Sequence, residues 1–217
     1  MGRRFGCVGF PLLLAIVFPI AAHSQCKKPG VERWAVKTSL PAAHDTPVPL
    51  TLEQLVALPP PASAASDKNN PARFPDDLGN GLHEGAIVRV AGFVRLVATD
   101  PDCDYHVQLN ASPTAMTGTV IVEVPADSTR YVDAAELRDS AATVREFFRA
   151  RLLKGHNPGG SSGNLIQGPA YIEVTGLLFF DGTHYPNCQA RGKRGMHAAT
   201  CWEVHPILSV RFVPRPN

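Results

Sequence analysis

The sequence predicts a mainly β fold: a five-stranded OB-like antiparallel barrel in the order β-β-β-α-β-β, with one helix and a Pro-rich N-terminal arm. Three observations carry this expectation. Runs of alternating apolar and polar residues recur at 86–98, 103–109, 119–124, 171–180 and 201–213. A single strong amphipathic helical pattern falls between the third and fourth of them. Most of the 20 prolines precede the first run. A ferredoxin-like or α/β arrangement needs helices alternating with strands, which one helix cannot supply. The runner-up architecture is a small open β-sandwich with one packed helix.

At the N-terminus, Arg3 and Arg4 precede an apolar run from Val8 to Ala22, and Ala22-His23-Ser24 offers small residues where a signal peptidase reads. This is the layout of a secretory signal, expected over residues 1–24. The run is short for a membrane span and contains Pro11 and Pro19, so no span is expected after cleavage. The location implied is periplasmic or secreted. The formal charge of +2 includes Arg3 and Arg4, so the mature chain is close to neutral. That argues against broad electrostatic capture of nucleic acid or anionic membranes.

Residues 25–81 read as a Pro/Ala-rich arm, with few apolar residues to offset the entropy of ordering it. One short helix interrupts it. Thr51 and Gln54 have capping-box spacing, and Leu52, Leu55 and Leu58 recur at helical intervals before Pro59. These leucines are expected to dock on the main domain, residues 82–214.

In the first strand, Gly92 interrupts the alternation and suggests a bulge. The second places Tyr105, Val107 and Leu109 on one face and Asp104, His106 and Gln108 on the other. The third sets Val120, Val122 and Val124 against Ile121 and Glu123. The helix at 133–153 carries Leu137, Ala141, Val144, Phe148 and Leu152 on one stripe, and Gly155 stops it. The Gly-rich loop that follows lacks the Gly-Lys-Ser/Thr ending of a phosphate-binding loop.

The last strand holds the most distinctive residues, Trp202-Glu203-Val204-His205-Pro206. In an OB-like order the third strand lies between the second and fifth. Alternation then gathers Asp104, His106, Glu123, Glu203 and His205 on one outer, solvent-facing surface. Tyr105, Val107, Val120, Val122, Trp202, Val204, Leu208 and Val210 point inward. Imidazoles and carboxylates on neighbouring strands suit a divalent metal, a general acid/base pair, or a cross-strand polar ladder that only clamps the sheet. Asp181 and His184 are secondary candidates. Arg191, Lys193 and Arg194 make the loop before the last strand the most basic stretch of the mature chain, a candidate anion-binding loop.

Without Cys7, the exported chain keeps Cys26, Cys103, Cys188 and Cys201, an even set that suits disulfides in an oxidising compartment. No Cys-x-x-Cys pair points to zinc. Pairing Cys188 with Cys201 closes the last interstrand loop, and Cys26 with Cys103 then ties the arm to the barrel.

The segments Cys103–Leu109, Val120–Val124, Val174–Asp181 with His184, and Trp202–Pro206 resemble a group of uncharacterised bacterial exported proteins. There D-x-H, V-E, V-T-G-x-x-F-x-D-x-x-H and W-E-I/V-H-P recur in the same order. The resemblance covers Glu84 to Val213 and excludes the arm. It implies an OB-like barrel with no assigned activity, and its polar positions fall on Asp104, His106, Glu123, Asp181, His184, Glu203 and His205. Three functions remain open: an exported binding module of unknown ligand, a metal-dependent hydrolase of phosphodiester type, and a purely structural or assembly protein.

Overall fold

The computed structural model describes Gly2 and residues 32–40, 46–160, 162–168 and 170–215. Apart from Gly2, the expected leader lies outside these residues, as does Cys26. In chain order the elements are α1 (Trp34–Lys37), β1 (Val48–Leu50), α2 (Leu52–Val56), β2 (Ile87–Thr99), β3 (Tyr105–Asn110), β4 (Thr119–Val124), α3 (Ala135–Leu152), β5 (Asn164–Leu165), β6 (Tyr171–Phe180) and β7 (Ala198–Phe212). Two short 3-10 turns, Ala62–Ala65 and Cys188–Arg191, complete the set.

All seven strands belong to one mixed sheet. The five long ones pair in the order β2–β3–β4–β7–β6, and β6 pairs back to β2. The wholly antiparallel arrangement expected from sequence needs correcting, because β4 and β7 run parallel. A ring of five strands cannot alternate direction all the way round, so one neighbouring pair must be parallel. Register shifts interrupt β2–β3, β4–β7 and β6–β7, and β1 adds a further parallel pairing on β2. The sheet is therefore an irregular ring and not a regular barrel.

Inside it, Val88, Val90, Val107, Leu109, Val120, Val122, Val174, Leu178, Trp202 and Val204 form one apolar core. The period-2 alternation of the strands delivers these side chains to one face. Trp202 is fixed by its indole N–H donating to the Pro59 carbonyl (2.9 Å) and by an edge-on contact with Phe180. Leu137, Ala141, Val144 and Phe148 bury the expected stripe of α3.

Leu208 does not point into this core. The β6–β7 ladder passes from Gly176↔Ile207 to Thr175↔Ser209, which leaves Leu208 unpaired. A residue skipped in the ladder changes sides, and Leu208 packs with Ala126, Tyr131, Val132 and Leu137 instead. Nor does the first-strand irregularity fall at Gly92. β2 changes partner at Phe93, which pairs with both Tyr171 and Asn110, and its register shift lies between Val94 and Leu96. Gly92 serves a different need: a Cβ there would lie 2.8 Å from Leu52 Cδ1.

The described part of the arm packs on the sheet. Thr51 and Gln54 form the reciprocal capping box, and Leu52 and Leu55 enter the main core. Phe74 and Ala64 join them. Upstream, the Arg33 guanidinium donates to both Glu84 oxygens (2.6 and 2.7 Å) and to the carbonyls of Phe180, Asn70 and Ala72. It also lies 4.1 Å from the centroid of the Phe74 ring. This buried ion pair ties the arm to the end of β6.

Candidate buried carboxylate–imidazole site

Alternation places Asp104, His106 and Gln108 on the face of the sheet opposite the core, as expected. Register then brings their neighbours alongside. His106 is the direct cross-strand partner of Glu123, and the parallel pairing Ile121↔Glu203, Val122↔Val204 carries Glu123 up to His205. The expectation that this face meets solvent is overturned. Asp104, Glu203 and His205 are each 0% exposed, and His106 and Glu123 only 3% and 4%. Both faces of β3 and β4 are buried throughout.

Two pieces of chain make the cover. Residues 32–40, with α1, bring Val36 and Lys37 over the sheet, both nearly inaccessible. The loop from Asp181 to His197 brings Arg191, Lys193 and Met196 from the other side. Gln108 latches that loop: its amide donates to Thr119 Oγ1 and the Met196 carbonyl and accepts from the Lys193 N–H (2.8 Å). Lys193 then reaches Asp100 at 2.5 Å.

The polar groups form a chain. Asp100 Oδ2 stands 3.4 Å from His106 Nδ1, and His106 Nδ1 stands 2.9 Å from Glu123 Oε1. Glu123 Oε2 is 3.0 Å from His205 Nδ1, and His205 Nε2 is 3.4 Å from Asp104 Oδ2. One carboxylate, Glu123, thus lies between both imidazoles. The other Asp104 oxygen accepts from the Ala126 N–H at 3.0 Å. The Phe179 ring flanks His205, with centroids 5.7 Å apart.

Electrostatics sort these groups. Burial raises the Glu123 carboxyl, but His106, His205 and Lys37 outweigh it and hold its pKa well below the ordinary value. Burial also opposes the His106 imidazolium, yet Asp100 and Glu123 raise its pKa overall. For His205 burial wins against the Glu123 carboxylate, and its pKa is lowered, which favours a neutral ring. Asp104 is pushed well above the carboxylate range by burial and then by Asp102. Burial opposes the Lys37 ammonium, but Glu123 and Asp104 more than offset this and its pKa is raised.

Among the described residues several buried polar atoms make no hydrogen bond of acceptable geometry, among them Asp104 Oδ2, His106 Nε2, His205 Nε2 and Glu203 Oε2. Such atoms are costly in a low-dielectric interior. Two sets of three ligand atoms lie within 4.8 Å of one another here, Asp104–Glu123–His205 and Asp100–His106–Glu123. The first is buried throughout and contains two of the groups with orphaned atoms, Asp104 and His205.

The remaining candidates divide. Glu203 is in ion-pair contact with Arg191 Nη2, and Arg191 Nε is 2.6 Å from Asp181 Oδ2. His184 Nδ1 joins the same Asp181 oxygen at 2.7 Å. Asp181, His184 and Glu32 also cluster with ligand-like spacing, but the Arg191 guanidinium already occupies Asp181. The three basic residues expected to hold an anion are all engaged within the chain: Arg191 with Asp181 and Glu203, Lys193 with Asp100, and Arg194 with the Ser162 and Gly163 carbonyls. A loop whose cations already have partners offers little to an external anion.

Sequence reading missed Lys37, Asp100, Asp102 and the Arg33–Glu84 pair. Asp100 and Asp102 belong to a Thr-Asp-Pro-Asp stretch with turn composition, which concealed their role beside Asp104. Lys37 has Glu32 nearby in the chain, but Glu123, which places it at the site, is far away.

Cys188 and Cys201 form the expected disulfide across the last interstrand loop. Cys103 is also disulfide-bonded, and its expected partner Cys26 lies outside the described residues. No helix among the described residues is long and apolar enough to cross a membrane. Compared with protein-family models and with curated proteins, the chain matches none.

Proposed function

We propose that this chain is an exported binding module of OB-like architecture whose Asp104, Glu123 and His205 hold a divalent cation. The observation that carries the reading is the orphaned Asp104 Oδ2, 3.4 Å from a His205 Nε2 that also makes no hydrogen bond, both fully buried. A cation bonded to one His205 ring nitrogen would also satisfy Asp104 Oδ2, displacing the proton that burial favours on that carboxyl. Two carboxylate oxygens and one neutral imidazole suit Zn2+ or Mn2+, and the lowered pKa of His205 favours the neutral form that ligation needs. The cyclic strand order supports the OB-like architecture. The disulfides and the apolar leader expected at residues 1–24 support a periplasmic or secreted location. Internal use of the basic loop agrees with a partner that is not a nucleic acid.

Burial favours holding an ion over turning over a phosphodiester, because hydrolysis needs an open coordination position and a path for substrate. The test is calorimetric titration of chelator-treated mature protein with Mn2+ and, separately, Zn2+. One ion per chain, lost in a folded His205→Ala variant, is the expected result. No binding by a folded wild-type protein, with a large loss of stability in His205→Ala, would instead identify the cluster as a strand clamp.

A further inference from the structure

We propose that Lys37 is a tethered counter-ion at this site, and that a divalent cation binds only by displacing it. The inference rests on the cation reading above and concerns what regulates that site. Lys37 ends α1, is buried, and directs its ammonium at the carboxylate that all three elements of the site share: Nζ lies 4.0 Å from Glu123 Oε2. That is the same oxygen that stands 3.0 Å from His205. Nζ also faces Glu32 Oε2 at 3.5 Å and the Phe179 ring, 5.6 Å to its centroid, and the Asp104 and Asp102 carboxyls act on it as well. An ammonium has three protons to donate, and among the described residues only the long bond to Glu32 uses one of them. Lys37 is therefore close enough to neutralise Glu123 without being locked to it.

Two cations cannot share that oxygen in a dry interior, where like charges repel far more strongly than in water. Binding of a metal ion and retention of the Lys37 ammonium thus exclude one another. The backbone that carries Lys37 is held on both sides. Arg33 anchors the segment through Glu84 and adopts the left-handed conformation (φ 51°), so the chain turns sharply just before α1. α1 itself is only four residues long. Beyond it, Arg73 donates to the Ser39 carbonyl and Oγ (3.2 and 2.8 Å), so the displacement is a movement of the long Lys37 side chain about its own bonds. Residues 32–40 then act as a strap over the site, and the strap carries its own competitor for the ligand.

The experiment measures Mn2+ affinity of the full mature chain by calorimetry, with thermal melts confirming the fold of every variant. Lys37→Met removes the charge and keeps the length, and should bind Mn2+ at least tenfold more tightly. Lys37→Arg keeps the charge and should bind as weakly as wild type. Lys68→Met, an exposed lysine on the same arm, controls for loss of net charge and should leave affinity unchanged. Lys37→Gln replaces the Met variant if the latter does not hold the fold. Equal or weaker binding by the neutral variant overturns the strap while leaving the site intact. If no folded variant binds Mn2+, the cation reading itself falls and the strap with it.

Discussion

Gly176 of β6 and Pro206 of β7 meet so closely that no side chain fits between the two strands. A Cβ on Gly176 would lie 2.6 Å from Val204 Cγ1 and 3.0 Å from Ile207 Cα, and would strike the Pro206 carbonyl oxygen. The contact falls where the β6–β7 register shifts twice, on either side of Gly176. It joins the Val-Thr-Gly and His-Pro parts of two separate motifs into one structural unit. It also sets the position of His205, the residue before Pro206.

Gly176→Ala should therefore destabilise the domain by about 1–3 kcal/mol, toward the upper end because backbone and not a movable side-chain tip obstructs the new methyl. Denaturant unfolding of the two proteins gives the comparison. A loss below about 0.5 kcal/mol would mean that the strands part easily and that this approach does not hold His205 in place.

The Arg33–Glu84 pair should behave as a buried ion pair does when one partner is removed. Both side chains are within 1% of complete burial, and Glu84 also accepts from the Phe74 and Phe180 N–H groups. Glu84→Gln leaves the guanidinium without its counter-charge and should cost about 3–5 kcal/mol. Limited proteolysis is the second readout: the bonds near residues 32–40 should become the first to be cut. Unchanged stability together with unchanged cleavage would show that the arm is held by its apolar contacts alone.

Stability should fall in acid through Asp181. Burial raises this carboxyl, but Arg191 and His184 more than offset it and lower its pKa from 3.8 to about 2. A carboxylate with a depressed folded-state pKa stabilises fully above its unfolded value. The contribution, about 2 kcal/mol, is then lost as pH falls from near 4 through 2. Its partner works in the opposite sense: His184 has a raised pKa, chiefly through Asp181, so its contribution is complete below the ordinary histidine value and fades as pH rises past it. Asp181→Asn should flatten the acid limb of a stability–pH curve measured by chemical denaturation. An acid limb of the same depth in that variant would assign the effect to other carboxylates.

The strands, α3 and the docking of α2 were legible in the sequence because each rests on short-range regularity. Alternation sorted Val107 from His106 and Val204 from His205, and the Thr51–Gln54 spacing located the α2 cap. The same regularity misled at Leu208, because the period-2 rule fails where a ladder skips a residue. At the site, alternation could name the face that carries Asp104, His106, Glu123, Glu203 and His205, but not what lies over it.

That cover was decided by tertiary structure. Lys37 reaches the site from the arm that Arg33 anchors, and Arg191 and Lys193 reach it from the loop after β6; Arg33 and Glu84 are 51 positions apart in sequence, and Lys193 and Asp100 are 93 apart. Period and composition describe how a segment divides its own two faces. They hold no information about which distant segment will be laid across one of them. By itself the sequence determined the five long strands, the main helix and the identity of the polar face, but not the short β1 and β5. Folding in three dimensions decided that this face is buried, and burial is what makes a polar atom without a partner costly and a charge beside it strongly felt.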